Sequence, residues 1–303
     1  MKILLTGATG FVGSHVLEAL LKDKHSVCLL KRSFSDIRRV QELIGQCIVY
    51  NLDKIALEEI YEENQIDCIV HCATHYGRSN KEYDKNIDAN LSFPLKLLCL
   101  GAEKGVKYFI NTDTFSSKQF ICEESLDGDI YMSGYTLSKV HFRQWGRMIA
   151  AQYGIKFINM RLEHVYGDGD SEGKFVPYVL KVCSSNEESL ALSKGSQLRD
   201  FIHISDVVNA YRAVIENLEK EDGVTYKTYE VGTGKMRSLR DFVELLHDIV
   251  HSTTILKWGE RPMGKGELMQ SKADNTELLK IGWHPLIVEN EDIRLIMKKH
   301  GFT

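Results

Sequence analysis

Three glycines within the first thirteen residues constrain the fold of this chain most strongly. Gly7, Gly10 and Gly13 come soon after the apolar residues 3–5, and a stretch of helical period begins at Val12. The first glycine permits a tight turn, the second lets backbone approach a pyrophosphate, and the third lets the helix pack against the strand. The spacing therefore predicts a strand, a phosphate-binding loop and a helix whose N-terminus faces a dinucleotide.

Short apolar runs alternate with stretches of helical period through the first half of the chain. We expect strands at residues 2–6, 26–30, 47–50, 68–71, 107–112 and 156–160, and helices at residues 12–22, 37–44, 91–104 and 133–151. Such alternation implies right-handed βαβ units. The predicted fold class is α/β, with a Rossmann-type doubly wound parallel sheet.

Two regions of the chain differ in pattern. Residues 1–162 form the predicted dinucleotide-binding domain, and residues 163–303 form a smaller, more irregular α/β lobe that mainly binds the substrate. In the second region, residues 199–204 are expected to form a strand. Because no linker separates the two regions, segments near residues 199–215 are expected to interleave with the first domain. We expect a small-molecule site in a cleft between them.

Composition excludes several classes of protein. The chain has 303 residues and a formal charge of −4, which provides no basic patch for nucleic acid. No apolar run reaches the ~18–20 residues of a membrane span, and no secretory signal is visible at the start. The cysteines are scattered along the chain and form no C-x-x-C motif. This spacing predicts no metal site, and it predicts reduced core cysteines in a cytoplasmic protein. The seven cysteines are Cys28, Cys47, Cys68, Cys72, Cys99, Cys122 and Cys183.

The end of the second strand indicates the cofactor. NAD sites usually place an acidic residue there to bind the ribose 2′-hydroxyl. This chain instead has Lys31, Arg32 and Ser33. Two cations and a hydroxyl suit a 2′-phosphate, because arginine can bind it with two hydrogen bonds. The sequence therefore predicts NADP(H), although solvated charges after a strand are the alternative.

A tyrosine and a lysine four residues apart provide the predicted proton chemistry. Tyr135 and Lys139 would lie on one face of a helix, one turn apart. At ~4 Å and an effective dielectric constant near ~20, the ammonium attracts a phenolate by about 4 kcal/mol, which would lower the tyrosine pKa. Thr112, at the carboxyl end of the fifth strand, could hydrogen-bond the substrate oxygen that Tyr135 protonates.

Together these motifs resemble the extended short-chain dehydrogenase/reductase family, which contains sugar-nucleotide epimerases, dehydratases and reductases. The resemblance covers nearly the whole chain. It implies that Thr112, Tyr135 and Lys139 are catalytic and that His164, where relatives carry asparagine, contacts the cofactor. It also implies a pyrophosphate and nicotinamide site formed by Gly7, Gly10, Phe11, Val12, Gly13, Cys72, Ala73, Thr74, Tyr135 and Lys139.

The residues after the fifth strand bear on the reaction. Dehydratases of this family carry Thr-Asp-Glu, whereas this chain has Thr112, Asp113 and Thr114. The missing glutamate argues against dehydration, and we expect Asp113 to cap the loop. A narrower resemblance is to reductases of CDP-linked 4-keto deoxysugars in O-antigen and related polysaccharide pathways. It is carried by residues 71–77, 111–115, 159–170, 174–178 and 229–234.

The resemblance thus implies NADPH-dependent reduction of the 4-keto group of a nucleotide-bound deoxysugar, such as a CDP-4-keto-3,6-dideoxyhexose. A sugar-nucleotide 4-epimerase and a non-catalytic NADP-binding member of the family remain alternatives. The partners implied are the nucleotide sugar and a second copy of the chain, giving a homodimer. The implied substrate-binding residues are Tyr76, Thr114, Lys174, Phe175, Arg199 and Arg261.

Overall fold

The computed structural model describes residues 1–77, 82–120, 133–220, 224–264, 267–288 and 290–299. Its strands are β1 Lys2–Thr6, β2 Ser26–Lys31, β3 Ile48–Asn51, β4 Cys68–His71, β5 Tyr108–Thr114, β6 Lys156–Leu162, β7 His164–Tyr166, β8 Ser189–Leu192, β9 Leu198–Arg199, β10 Phe201–His203, β11 Tyr226–Val231, β12 Arg237–Ser238 and β13 Ile255–Trp258. Its helices are α1 Phe11–Lys22, α2 Leu57–Glu63, α3 Tyr83–Ile87, α4 Phe93–Glu103, α5 Gly134–Tyr153, α6 Phe175–Ser184, α7 Ile204–Glu216, α8 Leu239–Ile249, α9 Thr276–Lys280 and α10 Asn290–Lys299.

Seven of these strands form one sheet, in the order β11-β6-β5-β4-β1-β2-β3. The neighbouring pairs from β3 to β6 are parallel. The order reverses between β1 and β4, so the carboxyl ends of these two strands form the switch point at which such sheets bind ligands. The predicted Rossmann-type doubly wound sheet is confirmed.

The described residues divide into two compact units. The first draws on residues 1–162 and 208–229, and the second on residues 163–207 and 230–299. Buried side chains cover one face of the sheet in the first unit, including stacked Phe109 and Phe157 with Phe142 at their edges. These rings bring α5 onto β5 and β6, which fixes the position of the α5 side chains near the strand ends.

The second unit has its own core and three small pairs of strands. Strands β7 and β10 are parallel, as are β8 and β13, while β9 and β12 are antiparallel. Phe201 and Phe242 stack in this core with ring centroids 3.8 Å apart. Helices α6 and α8 supply most of the remaining buried apolar side chains.

Most predicted elements are found within one or two residues of their expected bounds, but two are wrong. Residues 37–44 form consecutive turns before a short 3₁₀ helix at Ile44–Gln46, because eight residues with one well-buried apolar side chain, Val40, cannot sustain a helix. The strand expected over residues 199–204 is interrupted at Asp200, whose carboxylate accepts hydrogen bonds from the amides of Thr233 and Gly234.

Pro94 is near the start of α4, after a single π-helical turn at Asp88–Ser92. Cys122 lies outside the described residues, and the six described cysteines are free thiols. Within the described part of the chain, no helix is both long and apolar enough to cross a membrane.

Candidate active site

The glycine loop packs too tightly for side chains at two of its positions. Gly7 has a φ of +73°, and a Cβ there would lie 2.3 Å from the nitrogen of Ala73. A Cβ on Gly13 would lie 2.1 Å from the carbonyl oxygen of Gly7. The first turn of α1 begins with Phe11 and Val12 and carries no acidic residue, and its N-cap is Gly10. This close-packed turn with an unneutralised helix N-terminus fits the pyrophosphate of a dinucleotide.

The end of β2 presents one exposed cation. The guanidinium of Arg32 lies 5.8 Å from the ring centroid of exposed Phe34. The ammonium of Lys31, by contrast, donates to Oδ1 of Asn51 at 2.8 Å. Ser33 donates through its backbone amide, at 2.6 Å, and through its hydroxyl to the carboxylate of Asp53.

Asp53 was missed by the sequence analysis, because it follows β3 and not β2. It brings one carboxylate to the end of β2, and its hydrogen bonds from Ser33 hold its pKa below the usual value. The predicted phosphate-binding set therefore contains one exposed arginine, one lysine already paired with an amide oxygen, and one serine bonded to a carboxylate. Of these three side chains, Arg32 has the most freedom to bind a 2′-phosphate.

The residues after β4 line the switch point. Cys72 and Ala73 contact the glycine loop at Gly7, as described above, and burial raises the pKa of the Cys72 thiol to about 11. The hydroxyl of Thr74 donates to Oδ1 of buried Asn90 at 3.1 Å. The Asn90 amide group also donates to Oγ of Ser138 on α5, at 3.1 Å. Asn90 thus ties the loop after β4 to the helix that carries Tyr135.

Side chains alternate along the last three residues of β5. Thr112 and Thr114 share one face, and Asp113 points to the other. The Thr112 hydroxyl forms hydrogen bonds with the hydroxyl of Tyr211 at 2.6 Å and with the sulfur of Cys72 at 3.4 Å. For Tyr135, a side-chain hydrogen bond with Thr114 acts to lower the pKa of the phenol, against the larger effect of burial. The Thr112 hydroxyl is engaged with Tyr211 and Cys72.

Asp113 is the centre of a buried polar network. Its Oδ2 accepts hydrogen bonds from Arg143 at 3.1 Å and from Asn159 at 2.8 Å. Ser117 donates to the same oxygen at 3.2 Å, and the backbone amide of Thr114 donates to Oδ1 at 2.8 Å. Since its carboxylate is buried and accepts these four hydrogen bonds, Asp113 anchors the end of β5.

Lys139 is almost fully buried beneath the end of β5. Its ammonium donates to the backbone carbonyl oxygen of Thr112 at 2.9 Å. Burial lowers its pKa to about 8, and the nearby carboxylate of Asp113 opposes that shift. Thr112 therefore contributes to the site through its carbonyl group, which positions the lysine.

The phenol of Tyr135 is protonated at neutral pH. Burial is the largest cause that raises its pKa well above the usual value, and the neighbouring Tyr76 acts in the same direction. The two tyrosine rings lie 4.9 Å apart, centroid to centroid, with Tyr76 half exposed. The pKa of Tyr135 is thus raised, whereas the sequence predicted that Lys139 would lower it. Burial removes water from the phenolate, and this loss of hydration outweighs the effects that stabilise the phenolate. A neutral phenol beside a threonine hydroxyl is a proton donor.

Three predicted binding residues of the second unit are constrained by neighbours. Burial, followed by the charge of Arg199, lowers the pKa of His164 to about 3, so its imidazole is neutral. Arg199 is itself buried and forms an ion pair with Glu267 at 3.3 Å. The ammonium of Lys174 forms an ion pair with Asp170 at 2.9 Å.

The two remaining predicted residues of that unit lie at its surface. Phe175 is the first residue of α6 and is 37% exposed. Arg261 is exposed in a turn, where its amide donates to the carbonyl oxygen of Leu192 at 3.0 Å. Across the described part of the chain, no group of three or more His, Cys, Asp or Glu side chains is arranged to hold a metal ion.

Comparisons with known proteins identify relatives of this chain in sequence and in fold. The family model described as "NAD dependent epimerase/dehydratase family" matches residues 3–232. CDP-abequose synthase of Salmonella typhimurium is 35% identical over 98% of this chain and 97% of its own. UDP-glucose 4-epimerase of Thermotoga maritima, solved with UDP-glucose, superposes with a TM-score of 0.82 at 23% identity, over 99% of this chain and 98% of that one.

A second solved structure, UDP-glucuronic acid 4-epimerase of Bacillus cereus in complex with UDP-glucuronic acid and NAD, superposes with a TM-score of 0.81 at 22% identity. It covers 99% of this chain and 98% of its own. These two structures share the fold of this chain. The family model and the 35% identical relative also match it in sequence. The chain belongs to the NAD dependent epimerase/dehydratase family.

Proposed function

We propose that this protein is an NADPH-dependent reductase of the 4-keto group of a CDP-linked deoxysugar, such as a CDP-4-keto-3,6-dideoxyhexose. The observation that carries the proposal is the neutral phenol of Tyr135, on the same helix as buried Lys139 and one turn from it. Identity of 35% to CDP-abequose synthase over nearly the full length of both chains supports the choice of substrate class.

The cofactor proposal rests on the glycine loop and on Arg32. Gly7, Gly10 and Gly13 would hold the pyrophosphate at the N-terminus of α1, and Arg32 would bind the 2′-phosphate. When bound, NADPH supplies the hydride. Asp53 opposes this choice by placing a carboxylate near Ser33, so Arg32 is the residue that decides the preference.

The protein supplies the proton. As negative charge develops on the 4-oxygen of the sugar, Tyr135 donates its phenolic proton to that oxygen. Thr114 donates a hydrogen bond to the resulting phenolate, and Lys139 adds a positive charge held in place by the Thr112 carbonyl. Each of these groups stabilises the transition state more than the ground state, because the charge is present only there.

The position of Asp113 favours reduction over dehydration. Elimination of water from a hexose needs an acid and a base at adjacent carbons. Asp113 already accepts hydrogen bonds from Arg143, Asn159 and Ser117, and the next residue is a threonine. A carboxylate that already accepts these hydrogen bonds is engaged in holding the strand end.

The substrate-binding roles are part of the proposal. Tyr76 lies against Tyr135 and would cover the sugar. In the second unit, we assign binding of the CDP moiety to Arg199, Lys174, Phe175 and Arg261. Arg199 and Lys174 already form ion pairs with carboxylates, so they would contact the CDP moiety while keeping those partners. His164 stays neutral and would act as a hydrogen-bonding group, not as an acid.

Two incubations test the reaction class. With a CDP-4-keto-3,6-dideoxyhexose and NADPH, the enzyme should form a product two hydrogens heavier by mass spectrometry and oxidise one NADPH per sugar. With CDP-glucose and NADP⁺, it should form no 4-keto product. Loss of water from the hexose contradicts the proposal. So does interconversion of 4-hydroxyl epimers without net cofactor use, which would identify an epimerase. No reaction in either tube would favour a non-catalytic role.

A further inference from the structure

Two arginines lie directly opposite each other in the second unit. Strands β9 and β12 are antiparallel, and Arg237 is the register partner of Arg199. Opposite residues in an antiparallel pair project from the same face of the strands, with Cβ atoms about 4.5–5.5 Å apart. Like charges at such positions repel each other and lower stability. An anion bound by both guanidinium groups would offset that repulsion.

The acceptors around these two side chains differ in charge. Arg199 forms an ion pair with the carboxylate of Glu267 at 3.3 Å. Arg237 donates to Oδ1 of Asn290 at 2.7 Å and to the carbonyl oxygen of Val288 at 2.9 Å. Both of these hydrogen-bond partners of Arg237 are neutral, whereas the partner of Arg199 carries a negative charge.

We propose that Arg237 is a binding residue for the diphosphate of the CDP-linked substrate, acting beside Arg199. The proposal rests on the proposed function, since it takes a CDP-sugar as the substrate. The diphosphate of such a sugar carries a negative charge on each of its phosphoryl groups. A guanidinium group is a planar fork that can donate two parallel hydrogen bonds to phosphate oxygens. Two arginines on one face therefore match the two charges.

The neutral partners of Arg237 can be exchanged for phosphate oxygens. A phosphate oxygen carries negative charge, which attracts a guanidinium group more strongly than the partial charge of an amide or carbonyl oxygen does. Replacing the oxygen of Asn290 or Val288 by a phosphate oxygen therefore strengthens the contact. The same exchange at Arg199 would give up the carboxylate of Glu267, so it would gain less.

Aromatic packing holds the Arg237 side chain in place. Its guanidinium carbon lies over the ring of Phe242, 5.9 Å from the centroid. Phe242 in turn stacks on Phe201, which begins the strand that follows Arg199. An arginine over an aromatic face keeps its N–H groups in the plane of its own fork. The ring therefore positions the guanidinium group without occupying its hydrogen-bond donors.

An anchoring role is the alternative for Arg237. Its two hydrogen bonds also tie Val288 and Asn290, at the start of α10, to β12. An arginine with this role alone would contribute to the free energy of unfolding and not to the affinity for a diphosphate. Substitutions at Asn290 separate the two roles, because Asn290 belongs to the anchor and carries no charge that could attract a phosphate.

The test compares Arg237→Gln with Asn290→Ala and Asn290→Asp in the whole chain. CDP is titrated by calorimetry, and stability is measured by urea unfolding. Arg237→Gln should lower the affinity for CDP by about 10- to 100-fold, because it removes charged hydrogen bonds to phosphate. Asn290→Ala removes one anchoring contact and should leave the affinity for CDP within about twofold of wild type. Asn290→Asp places a carboxylate on Arg237 at the start of a helix, so it should preserve stability and lower the affinity for CDP by about three- to tenfold.

Wild-type affinity for CDP in Arg237→Gln would overturn the proposal. So would an equal loss of affinity in Asn290→Ala, which would assign the effect to the anchor. If Arg237→Gln does not fold, Asn290→Asp decides, and an affinity for CDP equal to that of wild type would show that Arg237 does not meet the diphosphate. A wild-type protein that does not bind CDP would refute the substrate class of the proposed function, whereas equal binding of CDP by all variants refutes only the role of Arg237.

Discussion

The two threonines at the end of β5 allow a sharp test of the proposed site. Valine has nearly the shape of threonine without the hydroxyl group, so Thr114→Val and Thr112→Val each remove one set of hydrogen bonds. The Thr114 side chain acts to lower the pKa of Tyr135, whereas the Thr112 hydroxyl bonds Tyr211. We expect the first substitution to slow the reaction and the second to lower stability.

The magnitudes follow from what each hydroxyl group contacts. The Thr114 hydroxyl stabilises a phenolate, and a hydrogen bond to a charged group is worth about 1.5–3 kcal/mol, which corresponds to a 10- to 150-fold loss in kcat. The Thr112 hydroxyl bonds buried Tyr211, and leaving that phenol without its partner should cost about 1–3 kcal/mol of folding free energy. The Thr112 carbonyl keeps its bond to Lys139, so kcat should stay within about threefold.

The assay is steady-state NADPH oxidation with the CDP-4-keto sugar, paired with urea unfolding of each variant. Thr114→Ser is the matched control, because it retains the hydroxyl group and should keep most of the activity. If Thr112→Val loses 100-fold in kcat while Thr114→Val retains the wild-type value, the assignment is reversed and the sequence-based role of Thr112 is correct.

Three further predictions concern the acid, the cofactor and the assembly. Tyr135→Phe should lower kcat by about 10²–10⁴-fold while NADPH binding, measured by fluorescence, stays unchanged; near-normal turnover would exclude this phenol as the acid. Arg32→Asp should weaken NADPH binding by about tenfold or more and NADH binding less, and a wild type that prefers NADH would contradict the cofactor proposal. The family resemblance and the exposed Leu137, Trp145 and Met148 on α5 predict a homodimer, so ultracentrifugation should give twice the chain mass of 34.6 kDa. A single-chain mass would rule it out.

The elements around the glycine loop were predictable because their signals are local. The turn from β1 into α1 is encoded by thirteen neighbouring residues, in which a φ of +73° favours glycine at position 7 and the approach of the Gly7 carbonyl oxygen requires glycine at position 13. The helical period of residues 37–44 is equally local, yet these residues form turns and not a helix. The periodicity of apolar residues shows which side chains could pack on one face of a helix. It does not show whether other elements pack against that face.

The true end of β5 was not predictable from its own residues. The sequence suggested a strand ending at Thr112, but pairing with β6 extends it to Thr114. Asp113 pairs with Arg161 and Thr114 with Leu162, partners that lie 48 residues further along the chain. The same limit applies to Asp53, which reaches Ser33 from the end of another strand. Contacts between distant segments decided both features, and no local pattern contains them.

That extension also links the strand to the chemistry. Because side chains alternate, a strand ending at Thr114 directs Asp113 into the network of Arg143 and Asn159 and directs the threonine on its other face to Tyr135. The only carboxylate among the last residues of β5 is thereby used to hold the strand in place. With that carboxylate engaged by Arg143 and Asn159, the site retains the neutral phenol of Tyr135, which suits protonation of a carbonyl oxygen. The alternation along three residues of β5 therefore favours reduction over elimination, independently of the cofactor.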